Sequence, residues 1–266
     1  MEILITNDDG INSPALIKLA QEVQPYGNVT VVAPDRDSSG KAASITLRDV
    51  LRFNKVELVN DINCYAVEGT PADSVIMARK EIAQKPFDLI LSGINYGANM
   101  GADVFVSGTV GAAIHGYLGG TLSVALSIAS LDAVRTDISD SIRYSGLICK
   151  YISENKIRTP EVINVNFPTS DDSIIQGARN TFIGPRVEDE ILIKESRPRG
   201  DYYFLRLDLK DSHDFPKESD MEAIQNGYIS VSKLDTNMNP GGYDTKSDLS
   251  LKLANYLNEY YLDLLI

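Results

Sequence analysis

The chain opens on a short apolar run, Glu2–Thr6, that stops at Asn7-Asp8-Asp9-Gly10. Aliphatic and β-branched residues bounded by turn formers predict a buried strand. Ser13-Pro14 supplies a cap and a proline for the first helical position, which predicts a helix to about Val23. Asn28–Ala33 (NVTVVA) reads as a second strand closed by Pro34, and a polar loop, Asp35–Ser44, follows. Thr70-Pro71-Ala72-Asp73 joins a cap, a proline and an acid in the first turn, predicting a helix through about Ala83. Phe87–Leu91 is the next strand. After it come a glycine-rich loop from Ser92 to Gly108 and a helix beginning near Thr109. Leu122–Ile128 reads as a strand, Asp137–Glu154 as an amphipathic helix and Glu161–Asn166 as a strand closed by Pro168.

Strands and helices thus alternate to about residue 168, a pattern that predicts βαβ units on a largely parallel sheet with helices on both faces. Beyond Pro168 the alternation fades. Two β-type runs, Glu190–Glu195 and Tyr202–Leu207, flank the polar Ser196–Asp201 and predict an extended hairpin. A short helix over Asp220–Asn226, a strand over Tyr228–Val231 and a closing helix over Thr245–Leu262 complete the reading. The expected division is an α/β core over residues 1–168 and a C-terminal extension over residues 169–266.

Composition narrows the function. Hydrophobic residues make up 43% and charged residues 23%, a balance that can bury a real core. The formal charge of −12 repels phosphate backbones, and no Lys/Arg run offsets it, so nucleic acid is not an expected partner. An anionic substrate would need a cation to mediate its approach. Val104–Leu131 holds no charged residue, but Gly119-Gly120 interrupts it and its flanks are acidic. It reads as a buried helix, a turn and a buried strand rather than a membrane span. The opening Met1-Glu2-Ile3-Leu4-Ile5 reaches Asp8 almost at once and does not read as a signal peptide. Cys64 and Cys149 stand far apart, as buried thiols of a reducing compartment do, and a cytoplasmic location is expected.

In an open parallel sheet, ligands bind beyond the carboxyl ends of the strands. Three polar loops are expected there: Asn7-Asp8-Asp9-Gly10, Asp35–Gly40, and the stretch holding Asn95, Asn99, Ser107 and Thr109. Adjacent carboxylates after a buried strand repel one another, and a cation removes that cost. Oxygen donors from Asp, Ser and Asn suit a hard ion such as Mg²⁺ or Mn²⁺. The plainer alternative is an Asx turn at Asn7-Asp8 with Asp9 solvated. Ser107, Gly108 and Thr109 fall at a helix start, where free N–H groups favour an anion. The same residues also make an ordinary cap.

Several competing chemistries lack their residues. Neither cysteine starts a Cys-x5-Arg loop, since Thr70 and Asn155 occupy the arginine positions, and His115 and His213 are too few for a multi-histidine metal site. No G-x-G-x-x-G follows a strand, Gly40-Lys41 lacks the rest of a P-loop, and no G-x-S-x-G is present. Asp35-Arg36-Asp37 after a strand imitates an aspartyl-nucleophile motif, although Pro34 counts against it.

Taken together, these segments resemble the survival protein SurE family. The likeness is carried by Ile5-Thr6-Asn7-Asp8-Asp9-Gly10, by Pro34–Gly40 with Ser44-Ile45-Thr46, and by Glu68–Asp73. It continues through Ser92–Gly101, Ser107–Ala113 and Asn164-Val165-Asn166-Phe167-Pro168. The resemblance implies a Rossmann-like three-layer αβα core. It also implies a metal-dependent 5′-nucleotidase, in some members acting on 3′-nucleotides and short polyphosphate. Dimers or tetramers built through the C-terminal hairpin and a final helix are implied as well. By position, one divalent ion (Mg²⁺ or Mn²⁺) would be held by Asp8, Asp9, Ser39 and Asn95, and phosphate by Asn99, Ser107, Gly108 and Thr109. Ala42 and Ala43 stand where many members have glycine and histidine, His115 where glutamate is common, and Lys41 where an apolar residue is usual. Lys233 replaces a proline, and Asn237–Pro240 lacks a histidine that some members carry.

The expected chemistry is attack of a metal-activated water on phosphorus, with Asp8 or Asp9 taking the proton. His115 is either a leaving-group acid or a packed helix residue. Two rival functions stand beside this one: a nucleotide-binding regulatory module without turnover, and an aspartyl-phosphate route through Asp35.

Overall fold

The computed structural model describes residues 1–130, 136–169, 175–185, 188–198, 200–209 and 215–235. The closing helix expected over Thr245–Leu262 and the Asn237–Pro240 segment lie outside the described residues.

Strand β1 (Glu2–Thr6) sends Ile3 and Ile5 to one face and Leu4 to the other. Helix α1 (Pro14–Val23) buries Ala15, Leu16, Leu19, Ala20 and Val23, one stripe at helical spacing, against the Ile3–Ile5 face. Strand β2 (Asn28–Pro34) follows. Strands β3 (Phe53–Val56) and β4 (Asn63–Val67) then form the antiparallel edge. Helix α2 (Pro71–Met77) starts with the expected cap: the Asp73 N–H donates to Thr70 Oγ1, and the Thr70 N–H donates to the Asp73 carboxyl. The α-helix ends at Met77 rather than near Ala83, passing into a π-helical turn over Ala78–Ile82.

Strand β5 (Leu89–Tyr96) runs further than its apolar stretch, because a bulge between Ser92 and Asn95 lets it resume pairing. Asn95 therefore lies on a strand, not in the glycine-rich loop that the sequence suggests. After a 3₁₀ turn over Gly101–Phe105 come α3 (Gly108–Leu118), β6 (Leu122–Ile128), α4 (Ser139–Glu154) and β7 (Val162–Phe167). The uncharged stretch is thus a helix, a turn and a buried strand, and no helix of the described residues is long and apolar enough to cross a membrane.

Past residue 168 the chain adds β8 (Ala178–Thr181), a hairpin of β9 (Glu188–Arg197) and β10 (Gly200–Leu209), α5 (Asp220–Gln225) and β11 (Ile229–Leu234). The nine-stranded sheet has the order β3-β4-β2-β1-β5-β6-β7-β11-β8. Every neighbour from β4 to β7 pairs in parallel, and β11 joins β7 antiparallel. The sheet thus continues into the C-terminal segment through β8 and β11, and Met1–Leu234 packs as one unit. Helices α1 and α4 cover one face, while α2 and α3 cover the other, giving the three-layer α/β architecture. Fully buried side chains such as Leu4, Ile5, Leu16 and Phe167 each contribute about 1.5–3 kcal/mol of transfer free energy.

Candidate active site

Strand β1 is flanked by β2 on one side and β5 on the other, both parallel to it. The chain leaves β1 toward β2 and later returns to the opposite side, so the connections diverge at the carboxyl ends of β1 and β5. Such a switch point leaves a crevice. The three polar loops read from the sequence meet there. The Ser38 N–H donates to the Asp8 carbonyl at 2.8 Å, tying the second loop to the first. Thr109, at the start of α3, donates its hydroxyl to Asp8 Oδ1.

Asn7 closes the loop with its side chain: its Nδ2 donates to the Gly10 carbonyl, and its Oδ1 accepts from the Gly10 N–H three residues on, one residue beyond the reach of an Asx turn. That closure does not leave Asp8 in solvent, and it leaves Asp9 half-buried. Asp8 is 3% exposed and faces the first turn of α3, where Gly108 has room for it only because it lacks a side chain. A Cβ on Gly108 would fall 2.8 Å from Asp8 Oδ2. Burial pushes the Asp8 carboxyl above its usual range, against the Thr109 hydroxyl and the N–H groups of Asp8 and Thr109, which favour the anion. Part of the α3 N-terminus is therefore already occupied by a protein carboxylate.

Asp9 is less well provided for. Burial, then the charges of Asp8 and Asp37, push its carboxyl up to about 7. Its Oδ2 is buried with no hydrogen-bond partner. Crowded, desolvated carboxyls with an unmatched oxygen are the environment that a hard cation completes, so the residues present fit a divalent ion. Ser39 is exposed and donates its hydroxyl to Asp37 Oδ1 at 2.6 Å. Asn95 donates its Nδ2 to the Gly97 carbonyl at 2.7 Å.

Asn99 lies on the other flank and is held from several directions. Its N–H donates to Asn166 Oδ1, and its carbonyl accepts from both Asn164 Nδ2 and Asn166 Nδ2. Its own Nδ2 donates to Ser127 Oγ at 2.7 Å. Ser107 caps α3, its Oγ accepting from the Val110 N–H.

The survival protein SurE model matches residues 3–190. The chain is 38% identical over 235 residues to the "5′-nucleotidase SurE" of Dehalococcoides mccartyi strain CBDB1, covering 88% of each chain. It is 36% identical over 240 residues to the protein of that name from Vibrio cholerae El Tor Inaba N16961, covering 90% of this chain and 92% of the relative. The crystal structure of the SurE protein of Aquifex aeolicus superposes with a TM-score of 0.77 at 31% identity, covering 97% of this chain and all of that one. The chain belongs to the SurE family.

Against the SurE pattern, the alanine at 42 has a backbone consequence. Ala42 adopts φ +51°, a left-handed conformation that glycine accepts freely and alanine does not. The loop is nonetheless fastened to α3: the Ala42 N–H donates to the Val106 carbonyl at 3.0 Å. His115 Nε2 lies 3.1 Å from the Ala43 carbonyl, which it meets as a donor. His115 thus ties α3 to the Ala42–Ala43 loop. Asp35 is bound at both oxygens by the Arg36 guanidinium, which holds its carboxyl below the usual range. Asp9, Ile11, Tyr96, Asp35 and Arg36 line a cleft of about 330 Å³ next to the carboxylates.

Sequence reasoning gave no role to Ser127, Asn164 or Asn166. Asparagines at alternate positions of an otherwise apolar strand were the available signal, since period-two polarity in a strand buried on both faces requires partners.

Proposed function

We propose that this SurE-family chain is a metal-dependent 5′-nucleotidase that hydrolyses nucleoside monophosphates in the crevice between β1 and β5. The observation that carries the reading is the adjacent pair of buried Asp8 and half-buried Asp9, with one carboxylate oxygen enclosed and unpartnered, set at the start of α3. Asp8, Asp9, Ser39 and Asn95 would hold one divalent ion, Mg²⁺ or Mn²⁺ by the hardness of their oxygens. When bound, the ion supplies Lewis acidity toward the phosphoryl oxygens and toward water.

The protein's own groups then divide the work. The Gly108 N–H, one of the first-turn donors without an intrahelical partner, faces an incoming phosphate. The Ser107 hydroxyl and the Asn99 amide complete the set that receives charge on the equatorial oxygens, and Thr109 would join them once its one hydroxyl proton is released from Asp8 Oδ1. Asp8 Oδ1 is engaged by Thr109. That leaves Asp9 to take the proton of the attacking water. The Asp35–Arg36 pairing favours this route over an aspartyl nucleophile.

In this reading residues 1–168 hold the groups that touch metal and substrate, and the hairpin and final helix of residues 169–266 serve assembly into dimers or tetramers. Support comes from the β9–β10 ribbon, which exposes Leu192, Tyr202, Tyr203, Phe204 and Leu205. A two-stranded ribbon is marginal without a partner surface. Buried free thiols at Cys64 and Cys149 support a reducing, cytoplasmic setting.

The test is phosphate release from AMP with Mn²⁺ or Mg²⁺, abolished by EDTA and restored by metal. A panel of 3′-nucleotides and short polyphosphate defines the range. No release with any divalent ion would overturn the assignment.

A further inference from the structure

The loop that carries Asn99 and Ser107 is fastened at a point between them. The Gly101 N–H donates at 2.8 Å to Asp220 Oδ2, from a residue 119 positions further along the chain. Asp220 Oδ1 accepts from the Gly184 N–H and the Met221 N–H, each at 2.9 Å. The Asp220 side chain is fully buried, and these main-chain donors are what stand in for water.

Helix α5 does not need this carboxyl as its cap. Ser219 Oγ already accepts from the Glu222 N–H at 3.2 Å. The reach of Oδ2 to Gly101 therefore serves the loop. Gly101 adopts φ +52°, and a Cβ there would fall 2.7 Å from Met221 Cε and 2.9 Å from the Pro185 carbonyl. The loop is thus pressed against α5 and against the segment leading to the hairpin. The pins at Asn99 come from β6 and β7, and the pin at Gly101 comes from the C-terminal segment.

We infer that Asp220 is a positioning residue for the phosphate side of the crevice: through the Gly101 N–H it sets where Asn99 and Ser107 stand. The inference rests on the proposed function for the meaning of that side. The carboxylate side takes Asp8 and Asp9 from the loop after β1 and does not hang on this bond. Loss of Asp220 should therefore separate two affinities that a general loss of structure would lower together.

The experiment uses the full-length protein and calorimetry, with Mn²⁺ alone titrated first and inorganic phosphate titrated into the Mn²⁺-loaded protein. Asp220→Asn should weaken phosphate binding about tenfold to a hundredfold, the cost of displacing a positioned group, and leave Mn²⁺ affinity within about threefold. KM for AMP should rise with the phosphate constant. Gly101→Ala keeps the carboxyl but pushes the loop from the opposite side, and should give the same selective loss if Asp220→Asn does not fold. Unchanged phosphate affinity in the folded variants, or a parallel fall of Mn²⁺ and phosphate affinity, would overturn the inference. If the wild-type protein binds both ions but does not hydrolyse AMP, the proposed function fails while the two affinities still judge Asp220.

Discussion

Asp9 and Asn99 stand on opposite flanks of one crevice and are buried on opposite terms. Asp9 Oδ2 is enclosed without a partner, and its carboxyl is driven upward by burial and by neighbouring aspartates. Asn99 has its N–H, its carbonyl and its amide all bonded, to Asn166, Asn164 and Ser127. The first flank is left incomplete by the protein and, in the proposed reading, is finished by a metal ion. The second is finished by the protein and stands fixed before a ligand arrives. A site that must exchange one component and hold the other in register is expected to be built this way, since preorganised donors cost no rearrangement during reaction.

The contrast breaks most sharply at Asp8. Asp8→Asn should lower AMP turnover on the order of 10³-fold with Mn²⁺ present, the scale at which loss of a charge-stabilising group acts. In EDTA the variant should melt no lower than the wild type, because a buried like charge has been removed. A clear fall in melting temperature in EDTA would mean that the carboxylate supports the fold rather than a ligand.

The second effect is a pH dependence confined to the metal-free protein. Asp9 rises from 3.8 to about 7 on folding, so between those values the folded state holds a proton that the unfolded chain has released. Stability in EDTA should therefore fall as pH rises through that window and level off above it. Urea midpoints at about pH 5 and about pH 8 measure the drop, and Asp9→Asn should remove Asp9's share of it. Saturating Mn²⁺ should remove it too, because binding to the folded state favours the charged pair.

On the finished flank the effect is smaller and of another kind. Asn166→Ala leaves the Asn99 N–H buried without its acceptor, which should cost about 1–3 kcal/mol of unfolding free energy. Mn²⁺ affinity should stay as it was. Equal losses in stability and in Mn²⁺ affinity would show that the two flanks are one network.

Much of this was legible in the residues. Strands β1 and β6 lie where the apolar runs end, because a buried parallel strand carries a continuous apolar stretch that turn formers stop abruptly. Strands β3, β4 and β8 escaped notice because they are short and half exposed, so neither a run nor a clean alternation marks them. Asn95 was misplaced into a loop because a bulge, not an apolar run, carries β5 onward to Tyr96. Asp8 and Asp9 were visible as neighbours, but the covering of Asp8 by Gly108 depends on α3 folding back over β1. The tie from Asp220 to the loop was not legible, since two of its three donors lie 36 and 119 residues away.

One more consequence follows from the polar row beneath Asn99. On β6, β7, β11 and β8 the residues facing α3 include Ser127, Asn166, Asn164, Ser230, Ser232 and Thr181, all buried. Thr181 Oγ1 lies within 2.8 Å of Ser230 Oγ and 2.7 Å of Ser232 Oγ. A slip of β7 by one residue would turn its asparagines into the oily side shared with α1 and α4, and bring Val165 beneath the loop instead. Misregistered sheets are thereby penalised during folding, so the polar row that holds Asn99 also proofreads the assembly of the strands that carry it.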